Sequence, residues 1–232
     1  MNIEILYQDD FIVVINKPSG LLSVPFEGHK GKTAISMLEN MMRKRGTWSK
    51  FHRPFAVHRL DRDTSGVMMF ALDEKTQKKL MDNWQSCVTE RQYVALAENP
   101  RNKKAILSEK VGVIDLPLAF NNSNHNSYAV KNIGKTVPEL KTVSALTHYK
   151  ILKANNDYTL FQLELETGRK NQIRAHLSAK GYTIAGDKNY HAKSDPFARL
   201  CLHARTLEFV HPVTNEKMKF EVPEPSEWGK LV

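Results

Sequence analysis

The sequence has few of the residues that build disulfide frameworks, metal sites or membrane spans. Its 232 residues include two cysteines, Cys87 and Cys201, which excludes a disulfide framework and indicates a reducing compartment. It has no His-x-x-x-His pair, no Cys-x-x-Cys pair and no glycine-rich phosphate loop, so we expect no metal and no small-molecule cofactor. No apolar run approaches membrane-spanning length, and the acidic start MNIEILYQDD is unlike a signal peptide. We therefore expect a cytoplasmic protein with no membrane partner.

Negative charge is also scarce, because 34 Lys and Arg residues stand against 25 Asp and Glu and give a net charge of +9. Such a surplus indicates an anionic partner, with nucleic acid the first candidate. From Glu39 to Arg62 seven bases face two acids, and Trp48, Phe51 and Phe55 lie among them. Bases pair with phosphates and flat rings stack on nucleobases. This interval therefore predicts a one-sided basic surface that binds nucleic acid.

Short apolar strands outnumber helices, and the chain shows no regular βαβ alternation. The runs FIVVIN and VMMFALD predict buried strands. Thr33 and Asp73 are placed to cap two helices, the second of which we extend through Cys87, and NQIRAHLSAKG predicts a third, short helix. The polar run NNSNHNSYAV predicts an exposed loop. The pattern is typical of an α+β fold with a mixed, largely antiparallel sheet, and we expect residues 1–232 to form one domain.

Two segments carry charge where the flanking sequence is apolar. In HRLDRDTSGV, Asp61 lies between Arg59 and Arg62 and the segment leads directly into a buried strand. In TGRKNQIRAH, Arg169 lies in a turn before a helix and Arg174 lies about one turn inside it. A helix N-terminus attracts anions through its free N–H groups.

If these segments meet, Arg174 can pair with Asp61. At about 4 Å and an effective dielectric constant of about 20, this attraction is about 4 kcal/mol before desolvation is subtracted. The pair would hold the carboxylate ionised and fixed in direction, as a nucleophile requires. From the residues alone, three alternatives stay open: a catalytic carboxylate, a purely structural ion pair, and no pair at all.

HRLDRDTSGV resembles the catalytic motif of the RluA-type pseudouridine synthases, which isomerise uridine to pseudouridine in structured RNA. Further motifs that resemble the family follow along the whole chain in the expected order: NKPSGLLSVP, RQYVALAE, GVIDLPL, TGRKNQIRAH, GDKNY and LCLHARTLEFVHP. The resemblance implies the pseudouridine synthase fold, in which a mixed sheet forms two lobes with flanking helices and a central RNA-binding cleft. It also implies an isomerase that needs no cofactor.

The resemblance also assigns roles to individual residues. Asp61 would be the essential catalytic carboxylate, Tyr93 would stack on the target uracil and assist proton abstraction, and Arg174 would pair with Asp61. The implied contacts with the substrate RNA come from Arg59, which fills the gap left by the flipped uridine, and from Arg62, Thr64, Arg169 and Leu202, the last of which packs against the uracil. Asp61 either attacks the sugar or promotes elimination through a glycal, and both routes stay open.

The chain departs from the family pattern in two places. Asn171 stands where relatives commonly have His, and we expect it to cap the following helix. We also expect no small RNA-binding domain of the S4 type before the catalytic motifs, so RNA selection would rest on the basic interval and on the polar run near residues 121–132. We expect a monomer that acts on a tRNA arm or an rRNA hairpin. The alternative is a non-catalytic RNA-binding or RNA-folding factor that uses the same cleft.

Overall fold

The computed structural model describes residues 2–102, 106–123, 125–131 and 141–232. The chain divides into two compact units, the first formed by Met1–Arg91 with His203–Glu224 and the second by Gln92–Leu202 with Pro225–Val232. Within the described ranges, no helix combines the length and the apolar character that crossing a membrane requires.

The first unit is a mixed sheet flanked by helices. Its strands are paired in the order β1-β2-β4-β13, with β3 on β4 and β14 on β13, and the β4–β13 pair is parallel while the others are antiparallel. The elements are β1 (Glu4–Gln8), β2 (Ile12–Lys17), α1 (Ala34–Lys44), β3 (Phe55–Ala56), β4 (Ser65–Ala71), α2 (Glu74–Asp82), α3 (Trp84–Cys87), β13 (Leu202–Val210) and β14 (Lys217–Glu221).

The second unit is built on an antiparallel sheet in the order β5-β11-β10-β6, with β12 paired to β5, and on a separate three-stranded sheet in the order β8-β7-β9. The strands are β5 (Val88–Glu98), β6 (Val111–Asp115), β7 (Leu118–Asn121), β8 (Asn126–Ala129), β9 (Thr142–Val143), β10 (Leu146–Ala154), β11 (Tyr158–Leu165) and β12 (Thr183–Ile184). The helices are α4 (Gln172–Ala179), α5 (Trp228–Leu231) and a short 3-10 helix (Lys188–Tyr190).

Local sequence signals account for most of these elements. Thr33 forms a capping box with Ser36 at the start of α1, and the Asp73 carboxylate accepts from the Thr76 N–H at the start of α2. Strand β4 is buried along its whole length, as its continuous apolar run predicts. The predicted α+β class with a mixed, largely antiparallel sheet is confirmed, whereas the single domain and the central cleft stay predictions.

Two secondary-structure predictions were wrong in detail. The helix that we extended through Cys87 breaks at Asn83, whose carbonyl accepts from the N–H groups of Ser86 and Cys87 at 3.0 and 2.8 Å. In the run NNSNHNSYAV the residues Asn126–Ala129 form a strand that pairs with β7, so this part of the run is not a loop. Asn124 in this run lies outside the described residues.

Candidate active site

The predicted catalytic carboxylate lies on the loop between β3 and β4. Asp61 is partly exposed, and its neighbour Leu60 is buried in the first unit. The Thr64 N–H donates to the Asp61 carbonyl at 3.2 Å, which closes a turn around this position. The loop therefore has an apolar anchor on one side of Asp61 and a hydrogen-bonded turn on the other.

A buried lysine from NKPSGLLSVP holds this loop by its backbone. Lys17 is 0% exposed, and its ammonium donates to the carbonyls of Pro18 at 3.0 Å, Leu21 at 2.6 Å and Arg62 at 2.9 Å. Hydrogen bonds from a charged donor are stronger than neutral ones. Lys17 thus connects the Arg62 backbone to the end of β2. This role was not predicted from the sequence, because a lysine at the end of a strand is usually exposed.

Two serines of the same motif hold the loop on either side of Arg62, the loop residue that Lys17 contacts. Ser19 donates to the Asp63 carbonyl at 2.7 Å. The Ser23 hydroxyl donates to the Leu60 carbonyl at 2.7 Å and accepts from the Leu60 N–H at 3.1 Å. The backbone of the residues around Asp61 is thereby fixed by side chains more than 35 positions away in sequence.

The first residue of HRLDRDTSGV is a neutral histidine that anchors the loop to the sheet. His58 Nε2 accepts from the Met69 N–H of β4 at 3.0 Å, and its ring lies 5.0 Å from the Trp84 ring. Burial, together with the positive charge of Arg91, lowers the pKa of His58 to about 3. The neutral imidazole is required here because a protonated ring could not accept from Met69.

The Thr-Ser-Gly that follows Asp61 is explained by packing rather than by nucleophilic chemistry. Gly66 pairs with Ala204 in the parallel β4–β13 ladder at φ +114°, and a Cβ at this position would lie 2.0 Å from the Ala204 carbonyl oxygen. Ser65 is buried and hydrogen-bonded to His203 at 2.7 Å. Thr64 is also buried, at 2% exposed, and its contact with RNA stays a prediction.

The two arginines that flank Asp61 are exposed. The Arg62 guanidinium donates to both carboxylate oxygens of Asp63 at 3.0 and 3.1 Å, and this pairing raises the pKa of Arg62. Arg59 presents its side chain to solvent, and its insertion into RNA stays a prediction. The first unit therefore brings Arg59, Asp61 and Arg62 together on one loop.

Tyr93 and Leu202 belong to the second unit. Tyr93 lies in β5 opposite Leu163 of β11 and is partly buried against the apolar core of that unit. Leu202, the first residue of β13, is 4% exposed and belongs to the same core. The contacts of Tyr93 and Leu202 with the uracil stay predictions.

Arg174 is held by a buried carboxylate that the sequence analysis missed. Its Nε and Nη2 donate to the two oxygens of Asp187 at 2.7 Å each, and its Cζ lies 5.0 Å from the Tyr190 ring centroid. Arg174 is 8% exposed and Asp187 is 2% exposed. The only signal for Asp187 was its place in GDKNY, since it lies 13 positions from Arg174. The bidentate pair fixes the plane of the guanidinium.

The turn before α4 is organised by Gln172 instead of Asn171. The Gln172 side-chain carbonyl accepts from Thr167 Oγ1 at 2.8 Å and from the Arg169 N–H at 3.0 Å, and its amide donates to the Leu146 carbonyl at 3.0 Å. Asn171 occupies the N-cap position at φ +54°, but its side chain makes no cap hydrogen bond within the described part of α4. The expected side-chain cap was therefore wrong.

Arg169 is exposed, and its Nε donates to the Ser144 carbonyl at 3.1 Å. Arg169 and Arg174 thus share the start of α4, as predicted. Asp61 belongs to the first unit while Tyr93 and Arg174 belong to the second, so the meeting of these three side chains stays a prediction. Across the described ranges, no group of three His, Cys, Asp or Glu side chains is placed to bind a metal ion.

Comparisons with known proteins agree on one family. Residues 11–179 match the family described as RNA pseudouridylate synthase. The chain is 33% identical to the uncharacterized RNA pseudouridine synthase YlyB of Bacillus subtilis, over 100% of this chain and 72% of that protein. It is 32% identical to the ribosomal large subunit pseudouridine synthase D of Pasteurella multocida, over 99% of this chain and 70% of that protein.

Solved structures support the same fold. Human RNA pseudouridylate synthase domain containing 1 superposes with a TM-score of 0.72 at 22% identity and covers 97% of this chain and 84% of its own. Human RNA pseudouridylate synthase domain containing 4 superposes with a TM-score of 0.71 at 24% identity and covers 97% of this chain and 90% of its own. At these identities the likeness concerns the fold.

Proposed function

This chain belongs to the RNA pseudouridylate synthase family, and from that premise we propose that it isomerises uridine to pseudouridine in structured RNA through the carboxylate of Asp61. The observation that carries this assignment is the construction of the loop around Asp61. The carbonyls of Leu60, Arg62 and Asp63 are each fixed by a side chain of NKPSGLLSVP. Asp61 itself keeps part of its surface open. Fixed direction with open access is what a carboxylate needs to act on a substrate.

The reaction begins with removal of the uridine from the RNA stack, since a stacked nucleotide cannot bring its sugar to a protein carboxylate. Flipping costs a few kcal/mol of lost stacking. Arg59 is exposed beside Asp61, and its planar guanidinium can occupy the vacated space by stacking and by contact with phosphate.

The chemical steps conserve atoms and electrons. The glycosidic bond between the sugar C1′ and uracil N1 breaks, with Asp61 acting as nucleophile or as promoter of elimination. The uracil rotates while Tyr93 stacks on it, and a bond forms between C1′ and C5. The proton on C5 leaves, with Tyr93 as the proposed aid, and N1 takes up a proton. No electrons pass to a carrier, so the proposal requires no redox cofactor.

Arg174 would stabilise the ionised carboxylate of Asp61 in this scheme. Its bidentate bond to Asp187 already fixes the guanidinium plane, so its remaining donor directions are set in advance. Preorganised charge of this kind contributes more to catalysis than charge that must be ordered during the reaction.

We propose that the RNA is a structured segment of rRNA or tRNA. The relative from Pasteurella multocida, named for the ribosomal large subunit, supports the rRNA choice, and the net charge of +9 suits either polyanion. Within the proposal the enzyme acts as a monomer in the cytoplasm, where both RNAs are found.

Release of tritium from RNA labelled at C5 of uridine tests this function, because bond formation at C5 expels that hydrogen. RNA is extracted from cells that lack the gene and incubated with the wild-type protein or with Asp61→Asn. We expect release with the wild type alone. Release by Asp61→Asn at the wild-type rate would contradict the role of Asp61, and absence of release with the wild type would favour the alternative of an RNA-binding factor.

A further inference from the structure

The loop between α1 and β3 carries cations and aromatic rings that the reaction above does not use. From Arg43 to Arg53 the chain has five bases and no acid. Arg43, Lys44, Arg45 and Lys50 are all exposed. Such a surface attracts polyanions. The arrangement of its three aromatic rings shows what kind of nucleic acid it fits.

Two of the three rings are already covered by arginines. The Arg43 guanidinium carbon lies 3.3 Å from the Trp48 ring centroid, and that of Arg53 lies 4.2 Å from the Phe55 ring centroid. Phe55 is also 6% exposed. These two rings therefore serve to place the cations against the surface of the first unit.

Phe51 is different, because it is 77% exposed and is the most exposed large hydrophobic residue of the described ranges. It stands on a hydrogen-bonded turn, the Phe51 turn (residues 49–52). Here the Ser49 N–H donates to the His52 carbonyl at 2.9 Å, while the Ser49 hydroxyl accepts from the N–H groups of Phe51 and His52 at 3.3 and 2.9 Å.

The Phe51 turn is also tied to the sheet, since the Arg53 N–H donates to the Leu72 carbonyl at 2.8 Å just after β4. The ring is therefore held outward by backbone contacts on both sides, with the Lys50 ammonium 5.8 Å from its centroid. A flat ring presented next to cations is the arrangement by which proteins bind single-stranded nucleic acid, where the ring stacks on a base and the cations contact phosphates.

We propose that Phe51 stacks on an unpaired nucleobase of the substrate RNA while Lys50 and the basic end of α1 contact the neighbouring phosphates. This inference rests on the proposed function only in that RNA is the ligand. Paired bases within a helix are stacked on both faces and offer no free face to a ring. The substrate must therefore present an unpaired nucleotide for Phe51, in addition to the uridine that is modified.

Binding to two uniform RNA probes tests the inference by affinity alone. The first probe is a fluorescein-labelled single-stranded (CA)6 RNA, which contains no uridine and cannot react. The second is the blunt duplex that it forms with (UG)6. We expect Phe51→Ala to weaken binding of the single strand about tenfold or more, and to change binding of the duplex less than about twofold. Because Phe51 is exposed, its replacement is expected to leave the melting temperature unchanged.

Four variants separate stacking from general hydrophobic and charge effects. Phe51→Trp should retain the wild-type affinity, whereas Phe51→Leu, which is apolar but not flat, should bind as weakly as Phe51→Ala. Phe26→Ala is the matched control, because Phe26 is 63% exposed and packs on His29 at 5.1 Å outside the basic interval. Lys50→Gln should reduce the slope of log affinity against log salt by about 0.7, the value for one phosphate of a single strand.

The outcomes are distinct from those of the tritium assay. The inference is overturned if wild type and Phe51→Ala bind the single strand equally well, or if the wild type does not bind it at all. It is also overturned if Phe26→Ala loses as much affinity as Phe51→Ala, or if Phe51→Leu keeps the wild-type affinity. If the wild type releases no tritium but Phe51→Ala loses single-strand binding, the proposed function fails while the stacking surface stands.

Discussion

Two arginines from the two charged motifs form bidentate pairs with aspartates in opposite surroundings. Arg62 is exposed and pairs with its neighbour Asp63 at 3.0 and 3.1 Å. Arg174 is 8% exposed and pairs with the buried Asp187 at 2.7 Å for both bonds. Exposed ion pairs contribute about 0–1 kcal/mol, whereas removal of one partner of a buried pair costs about 3–5 kcal/mol. The same Arg–Asp pair is thus expected to contribute little to stability where it is exposed and much more where it is buried.

The difference shows two ways to fix a functional segment. The loop around Asp61 is held through its backbone by Lys17, Ser19 and Ser23. Arg59 and Arg62 on this loop are exposed, and Asp61 is partly exposed. Arg174 is instead held through its own side chain by Asp187. In the proposed reaction the carboxylate must meet a substrate and the guanidinium must support it, so the two groups need different exposure. Each mode of fixation suits one of these proposed roles.

The largest effect is expected from Asp187→Asn, which removes the carboxylate from a buried guanidinium. We expect the free energy of unfolding to fall by about 3–5 kcal/mol, measured by urea denaturation. Asp187→Asn should also reduce tritium release, because the plane of Arg174 is no longer fixed. A loss below about 1 kcal/mol would contradict the contrast between the two pairs.

Lys17→Met should have the next largest effect, since it keeps the length of the side chain but leaves three carbonyls without the ammonium. We expect a loss of about 2–3 kcal/mol and a fall in tritium release. Lys153→Met is the matched control, because Lys153 is exposed and donates to one carbonyl, that of Gly229. Its unfolding free energy should change by less than about 0.5 kcal/mol. If Lys17→Met and Lys153→Met lost the same unfolding free energy, the three hydrogen bonds of Lys17 would not have the stabilising role inferred here.

Because of His58, the free energy of unfolding should decrease as the pH is lowered. Its pKa is about 3 in the folded state, below the ordinary value of 6.5 that the unfolded chain retains. Between these values the unfolded state binds a proton that the folded state does not, so stability present above pH 6.5 is lost as the pH falls towards 3. The contribution is at most about 1.4 kcal/mol per pH unit.

Urea denaturation between pH 7 and 4.5 checks this slope. His58→Gln should show a weaker decline than the wild type, and His125→Gln, at an exposed position, should follow the wild type. If His58→Gln declined as steeply as the wild type, another group would be responsible for the pH dependence.

The smallest effect is expected from Asp63→Asn, which breaks the exposed pair with Arg62. We expect the free energy of unfolding to change by less than about 1 kcal/mol, in contrast to Asp187→Asn. Differential scanning calorimetry at low and moderate salt measures both variants side by side. A loss as large as that of Asp187→Asn would show that exposure does not govern these two pairs.

Much of the fold was predictable because its signals are local. The cap residues Thr33 and Asp73 and the apolar run of β4 each determine a structure within a few positions. The strand β8 was not predictable, because its polar residues form a strand only by pairing with the neighbouring strand β7. Pairing with a neighbouring strand can override the preference of a polar run for a loop.

The candidate site was predictable in its motifs but not in its supports. Lys17 looks like a surface residue in sequence, and only the packed structure shows it buried against the Arg62 carbonyl. Asp187 is 13 positions from Arg174, a distance that no helical or strand period connects. His58 reads as one more charged residue of the motif, yet burial makes it neutral. Burial of a polar group is a property of the whole fold.

Mapping of pseudouridine in cellular RNA tests the central claim most directly. RNA is compared from cells that lack the gene and from the same cells supplied with the wild-type protein or with Asp61→Asn at equal abundance. We predict at least one uridine that is converted with the wild-type protein and stays unmodified with Asp61→Asn. Restoration of every such site by Asp61→Asn would contradict the claim that this carboxylate performs the reaction.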